Sequence, residues 1–196
     1  MTTRPAAEAL EAFAVREAVK ALGMLSKKER KDTYVVSFYI YDDDDDPRSP
    51  TLTVGHNSEA SLRSNLDCAS GEEEARWNYA FWLQDELAVI GRSGVGLRLR
   101  DEFVAELLSD PPPTVDEFDD ANPVTTAFVD LAVRVARTLH VDGHVVRLFG
   151  RGVLVAIHEL EYYPQIAHQT AAANPPEVMA DFAAWCGALD CRRLVV

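Results

Sequence analysis

Apolar residues near the start of the chain recur at helical spacing. Leu10, Phe13, Ala14, Ala18, Ala21, Leu22 and Leu25 share one face, which predicts an amphipathic helix. Glu8 and Glu11 stand near its start, and Lys27, Lys28, Arg30 and Lys31 at its end, a polarity that complements the helix dipole. The period then changes. Thr33 to Tyr41 is β-branched and aromatic almost throughout and predicts a strand covered on both faces. Thr51 to His56 alternates and predicts a second strand, forming a hairpin with the first. Asn57 or Ser58 then caps a helix running towards Leu66. After an aromatic stretch, Trp82 to Ile90 continues as a helix, Gly91 to Gly96 breaks it, and Asp101 to Leu108 forms another short helix.

Asn122-Pro123 opens the clearest helix, with Val124, Ala127, Phe128, Leu131, Ala132, Val135, Ala136 and Leu139 as its apolar stripe. Asp142-Gly143 is a turn. Val145 to Phe149 and Val153 to Ile157 flank Gly150-Arg151-Gly152, which predicts a second hairpin. Asn174-Pro175 opens a last helix with Val178, Met179, Phe182, Trp185, Cys186 and Leu189 inward. Grouped strands separated by helices predict an α+β fold: a mainly antiparallel sheet built from two hairpins, packed with several helices, as one domain over residues 1–196. Within it, residues 109–121 hold three consecutive prolines among acids and predict an acidic, Pro-rich loop.

Charge changes the picture more than composition does. At 196 residues and 47% hydrophobic content the chain has material for a real core, but 32 acids against 19 bases leave a net charge of −13. Such a field repels phosphate backbones, which excludes nucleic acid as a direct partner, and it speeds encounter with a basic protein or a cation. Three cysteines, Cys68, Cys186 and Cys191, with no CxxC pair, argue against a disulfide framework and fit a reduced, cytoplasmic setting. No run is long enough to span a membrane, and the N-terminus lacks the apolar stretch of a signal peptide.

Candidate chemistry is sparse. Asp42, Asp43, Asp44, Asp45 and Asp46 are contiguous, and Pro47 takes the sixth position, where a calcium loop needs alternating acids and a glycine. The run therefore reads as a solvated loop or a docking site for a basic partner. His140, Asp142 and His144 are sensible metal ligands, and with His158 and Glu161 they would make a metal-dependent hydrolase if the fold brought them together. Glu159 and Glu161 could form a carboxylate pair. Gly91-Arg-Ser-Gly94-Val-Gly96 lacks the ending of a phosphate-binding loop, and no GxSxG elbow exists. Trp77, Tyr79, Phe81 and Trp82 form a dense aromatic cluster, either core or a binding surface rimmed by acids.

Several short features occur together: an N-terminal helix, the aromatic strand Tyr34 to Tyr41 ending in aspartates, Arg76-Trp77 with Trp82 five residues later, and Val153 to Ile157 leading to Asn174-Pro175. In these the chain resembles, over most of its length, a bacterial family catalogued as domain of unknown function 4303. It departs from that pattern at Tyr79, where the family has Pro, and at Phe81, where it has Glu. The resemblance brings no established activity. What it implies is a class: small, acidic, stand-alone bacterial proteins that occur as immunity proteins beside toxins.

The expectation is a cytoplasmic protein-binding module of the immunity type, neutralising a cognate basic toxin through an acidic surface and needing no cofactor. Its partner-binding residues would be Asp42 to Asp46, Glu72, Glu73, Glu74, Asp116, Glu117, Asp119 and Asp120, with Trp77 and Trp82 as aromatic anchors. The alternatives are the hydrolase around His140, Asp142 and His144, and an adaptor without inhibitory role.

Overall fold

The computed structural model describes residues 4–109, 122–159 and 164–193 of the chain. Helix α1 (Pro5–Met24) starts with a proline in its first turn, where the missing N–H is not needed, and buries Leu10, Ala14, Ala18, Ala21 and Leu22. The basic cluster that follows forms its own short helix, α2 (Lys27–Asp32). The Ser26 hydroxyl accepts from Glu29 N, and the Glu29 carboxylate accepts from Ser26 N, a reciprocal cap. Strands β1 (Thr33–Asp42) and β2 (Pro50–Ser58) make the expected antiparallel hairpin, with Phe38 opposite Val54 and Ile40 opposite Leu52. Ser58 caps α3 (Glu59–Asn65) by accepting from Ser61 N.

Helix α4 (Glu72–Trp77) and a 3-10 turn at Tyr79–Phe81 lead to β3 (Ala88–Ile90). The helix expected over Trp82 to Ile90 does not form. Gln84 takes a left-handed φ of 51°, and the Asp85 carboxylate accepts from both the backbone N and the ring Nδ1 of His56, which pins this stretch to β2. Helix α5 (Gly94–Ser109) begins earlier than its apolar pattern suggests. A Cβ on Gly96 would lie 3.0 Å from the Phe13 ring, so the glycine lets α5 approach α1 closely. Helix α6 (Pro123–Val141) is capped by the Asn122 side chain, as expected, and carries the predicted buried stripe.

The second hairpin does not form either. Val145 to Phe149 belongs to α7 (His144–Phe149), set between Gly143 and Gly150, both left-handed at φ 70° and 72°. Val145 and Phe149 are buried while Val146 and Arg147 are exposed, which is helical and not alternating spacing. Strand β4 (Leu154–His158) instead runs parallel to β1, with Val35 opposite Leu154 and Tyr39 opposite His158. The sheet order is β3-β2-β1-β4; two of its pairings are antiparallel and one is parallel, so the sheet is mainly antiparallel but mixed, not purely antiparallel. Helix α8 (Pro164–Ala173), a 3-10 turn at Pro176–Val178 and α9 (Ala180–Arg193) complete the chain.

The result is one α+β domain with helices on both faces of the sheet. On one face, Val36, Phe38, Ile40, Leu52, Val54, Val155 and Ile157 pack against α1, α5, α6 and α7. On the other, Val35, Leu154 and Ala156 pack under Trp77, Trp82, Ile166, Phe182 and Trp185. Among the described residues, no helix is long and apolar enough to cross a membrane.

Candidate functional site

Strand β4 ends at His158, opposite Tyr39, while its parallel neighbour β1 runs on to Asp42, so the end of β1 stands beyond β4 at that edge. A cleft of about 240 Å³ opens at that position, lined by Tyr39, Tyr41, Asp42, Asp45, Thr125 and Glu159. Strand alternation explains its two walls. Tyr39 and Tyr41 project from the same face of β1 and stack with centroids 6.2 Å apart and planes 17° from parallel. Tyr79 stacks behind Tyr39 at 5.0 Å, continuing the ladder inward. Asp42 is the last residue of β1 and turns to meet α6, where its Oδ2 accepts from the Thr125 hydroxyl at 3.3 Å.

The other carboxylate oxygen of Asp42, Oδ1, is shielded from solvent and accepts no hydrogen bond. Burial raises the Asp42 carboxyl above its ordinary pKa; the Thr125 hydroxyl opposes this, and Glu159, Asp46 and Asp45 add to it. Tyr39 is likewise raised, first by burial and then by Tyr41 and Glu159. The cleft is thus an acidic site with one carboxylate held short of partners.

The rest of the aspartate run is folded back on itself. A tight 3-10 turn places Asp44 and Asp45 at left-handed φ values of 59° and 55°, a region aspartate tolerates better than most residues. Asp46 accepts three hydrogen bonds from Arg48, at 3.0 Å from Nε, 2.9 Å from Nη2 and 3.0 Å from the backbone N, and these lower its pKa. Asp43 lies 4.0 Å from Arg92, which also pairs with Glu86 at 3.1 Å. Two of the five aspartates are therefore matched by arginines nearby.

Glu72, Glu73 and Glu74 stand in the first turn of α4, where acids complement the positive helix end, and Glu74 accepts from Ser70 N and Oγ at 2.8 and 2.5 Å. That helix is tied to the start of β1, because the Tyr34 hydroxyl donates to Arg76 O at 2.6 Å. Asp42 to Asp46 follow the other end. The two acidic runs stand at opposite ends of a strand of 10 residues, about 30 Å long at the usual rise, and form no common surface. Asp116, Glu117, Asp119 and Asp120 lie outside the described residues, as does Glu161.

Trp77 and Trp82, expected as partner anchors, are only 6% and 5% exposed. Trp77 meets Tyr34 and Phe182 edge-on, and Trp82 Nε1 donates to Arg76 O at 2.8 Å. Both rings belong to the second core, and neither is offered at the surface.

The histidines do not converge. His140 Nε2 donates to Asn174 Oδ1 at 2.9 Å, and burial lowers its pKa. His144 Nδ1 accepts from Arg147, and Asp142 is an exposed helix end. Among the described residues, no group of three or more His, Cys, Asp or Glu side chains could hold a metal ion. His158 lies inside, its Nδ1 donating to Glu159 O at 3.1 Å and its Nε2 accepting from the Ser37 hydroxyl at 2.8 Å. This resembles a nucleophile–base pair, but Ser37 is 4% and His158 0% exposed, beneath the rings of Tyr39, Tyr79 and Trp82.

Sequence reasoning overlooked Tyr39, Tyr41 and Thr125 as site residues. The two tyrosines carried a signal, since they sit two apart at the end of a strand and directly before acids; Thr125 carried none. Comparison of the chain with protein-family models, curated proteins and solved structures finds no match.

Proposed function

We propose that the protein is a cytoplasmic binding module of the immunity type, which neutralises a basic bacterial toxin domain by presenting the acidic end of its sheet. The observation that supports this reading best is the cleft lined by Asp42, Asp45 and Glu159 together with the stacked Tyr39 and Tyr41. A cation brought there would meet several carboxylates at once, and the net charge of −13 would draw it in from a distance. The kinship suggested by Tyr34 to Tyr41 and by Arg76-Trp77 is part of the same proposal and adds no activity of its own.

The test compares two charge-neutralised variants as bait in lysate of the source organism, at low and at moderate salt. Asp42→Asn/Asp45→Asn/Glu159→Gln should slow association with the captured basic partner about tenfold and flatten its salt dependence. Glu72→Gln/Glu73→Gln/Glu74→Gln should leave both unchanged. Equal losses in the two variants would remove the cleft from the proposal. Co-expression with the partner then separates inhibition from mere attachment: a stable complex without rescue from toxicity would identify an adaptor instead.

A further inference from the structure

The walls of the cleft belong to opposite faces of one strand. Tyr39 and Tyr41 lie on the face of β1 that carries the smaller core, whereas Asp42 turns to Thr125 of α6 on the other face. A cleft that touches both faces of a strand runs along its edge. One edge of β1 is paired with β2 as far as Asp42, opposite Pro50. The cleft therefore follows the other edge, where β4 stops at His158 and β1 continues.

The ladder identifies the backbone groups along that edge. Val155 and Ile157 turn their N–H and C=O groups outward, to Asn174, Thr170 and Gln169. Successive strand residues alternate sides, so Ala156 and His158 face β1. In a parallel ladder each of them meets the residues flanking its register partner, which for His158 are Phe38 and Ile40. The next groups of β1 in that row are the Ile40 carbonyl and the Asp42 N–H, and both lie past the last residue of β4. Among the described residues, no backbone group outside the strand ladders bonds either one. Elsewhere the sheet closes such groups with side chains: those of Gln169, Thr170 and Asn174 cover β4, and Asp85 accepts from His56 N on β2.

We infer that this edge receives an extended segment of the partner protein, added as a short strand beyond the end of β4. The inference rests on the binding reading above and says how the partner is held. An N–H of the segment donates to the Ile40 carbonyl, and a C=O accepts from the Asp42 N–H, the main-chain bonding by which peptides extend a sheet. Side chains of the added strand alternate, one falling beside the Tyr41 ring, which is 41% exposed, and the next towards Thr125. Asp45 and Glu159 line the same cleft and favour a segment bearing lysine or arginine over an acidic one.

The experiment titrates the isotopically labelled full chain at low salt with a capped heptapeptide of alternating lysine and valine. The same peptide N-methylated at every residue, and one with glutamate for lysine, are the controls, and backbone amide shifts are followed. The lysine peptide should move the amides of Tyr41, Asp42, Thr125 and Glu159 and slow hydrogen exchange at Asp42. The methylated peptide, equal in charge but without N–H donors, should bind about tenfold more weakly. The glutamate peptide should not bind. Asp42→Asn and Asp42→Pro remove the same charge, but only the proline removes the N–H; it should bind the lysine peptide about fivefold more weakly than the asparagine variant. If Asp42→Pro does not fold, the methylated peptide decides. Equal affinity for the methylated and unmethylated peptides, or shifts confined to Glu72 to Glu74, would overturn the added strand and leave the acidic-binding reading standing. Absence of binding by the lysine peptide would overturn both.

Discussion

Two atoms of His158 decide what this buried histidine can be. Its Nδ1 proton goes to the Glu159 carbonyl, so Nε2 is left to accept from Ser37, and the ring is neutral. Burial pushes its pKa down from 6.5 to about 4, the Glu159 hydrogen bond opposing it. The sign follows from linkage. The folded chain holds off the proton that the unfolded chain takes up near pH 6.5, so this stability is present above that pH and is lost as pH falls towards 4. The loss is on the order of 3 kcal/mol. Ser37→Ala/His158→Leu, which removes both polar partners together, should lose less stability between pH 7 and pH 4.5 than the native chain, by urea unfolding. An identical pH slope would show that other groups dominate acid sensitivity. His158 was visible in the sequence as a candidate at a strand end, and its alternation along β4 placed it on one face. That its lid is three aromatic rings from β1 and the Tyr79–Trp82 segment was not visible, because those contacts join distant parts of the chain.

Strand β4 lies at the edge of the sheet, yet its outer backbone groups are not left open. Asn174 accepts from Val155 N through Oδ1 and donates to Val155 O through Nδ2, both at 2.8 Å. Thr170 Oγ1 accepts from Ile157 N at 3.1 Å, and Gln169 Nε2 donates to Ile157 O at 2.9 Å. Side chains of α8 and of the residue after it thus replace a fifth strand and block edge-to-edge pairing. This also explains why Val145 to Phe149 is a helix: the edge that a second hairpin would use is occupied. Asn174→Ala should lower stability by about 2 kcal/mol, read as a reduced urea midpoint, because Val155 and His140 both lose their partner. A change below a few tenths of a kcal/mol would mean that water replaces the amide without cost. The sequence presented Asn174 as a helix cap before Pro175, its usual local role, and nothing local marks it as a strand surrogate.

At the scale of the whole molecule, β1 is the shared wall of two cores. Its even positions, Val36, Phe38 and Ile40, enter the larger one; Val35 enters the smaller. All three tryptophans, Trp77, Trp82 and Trp185, belong to the smaller core. Tryptophan fluorescence therefore reports on one face of the sheet, while most helical signal in circular dichroism comes from α1, α5 and α6 on the other. If β1 couples the faces as its packing requires, the two probes should give coincident unfolding transitions in urea. Separated midpoints would reveal that the aromatic layer opens by itself. The surplus of acids acts at this scale too, since a net charge of −13 sets a negative field that reaches beyond any one cluster of residues.

Local pattern alone determined α1, α6, the β1–β2 hairpin and a helix cap at Asn57 or Ser58, because each depends on residues within a few positions and on a period that the side chains display. It also determined the sign of the field and the acidic end of β1. Tertiary structure decided the rest. It set β4 parallel to β1, it turned Trp77 and Trp82 inward, and it separated Glu72 to Glu74 from the aspartates by the length of a strand. It also brought Thr125 and Glu159, 83 and 117 positions beyond Asp42 by residue number, to the same cleft. Strand order and long-range contacts depend on which surfaces bury each other, and that information is spread across the whole chain and not written in any one segment.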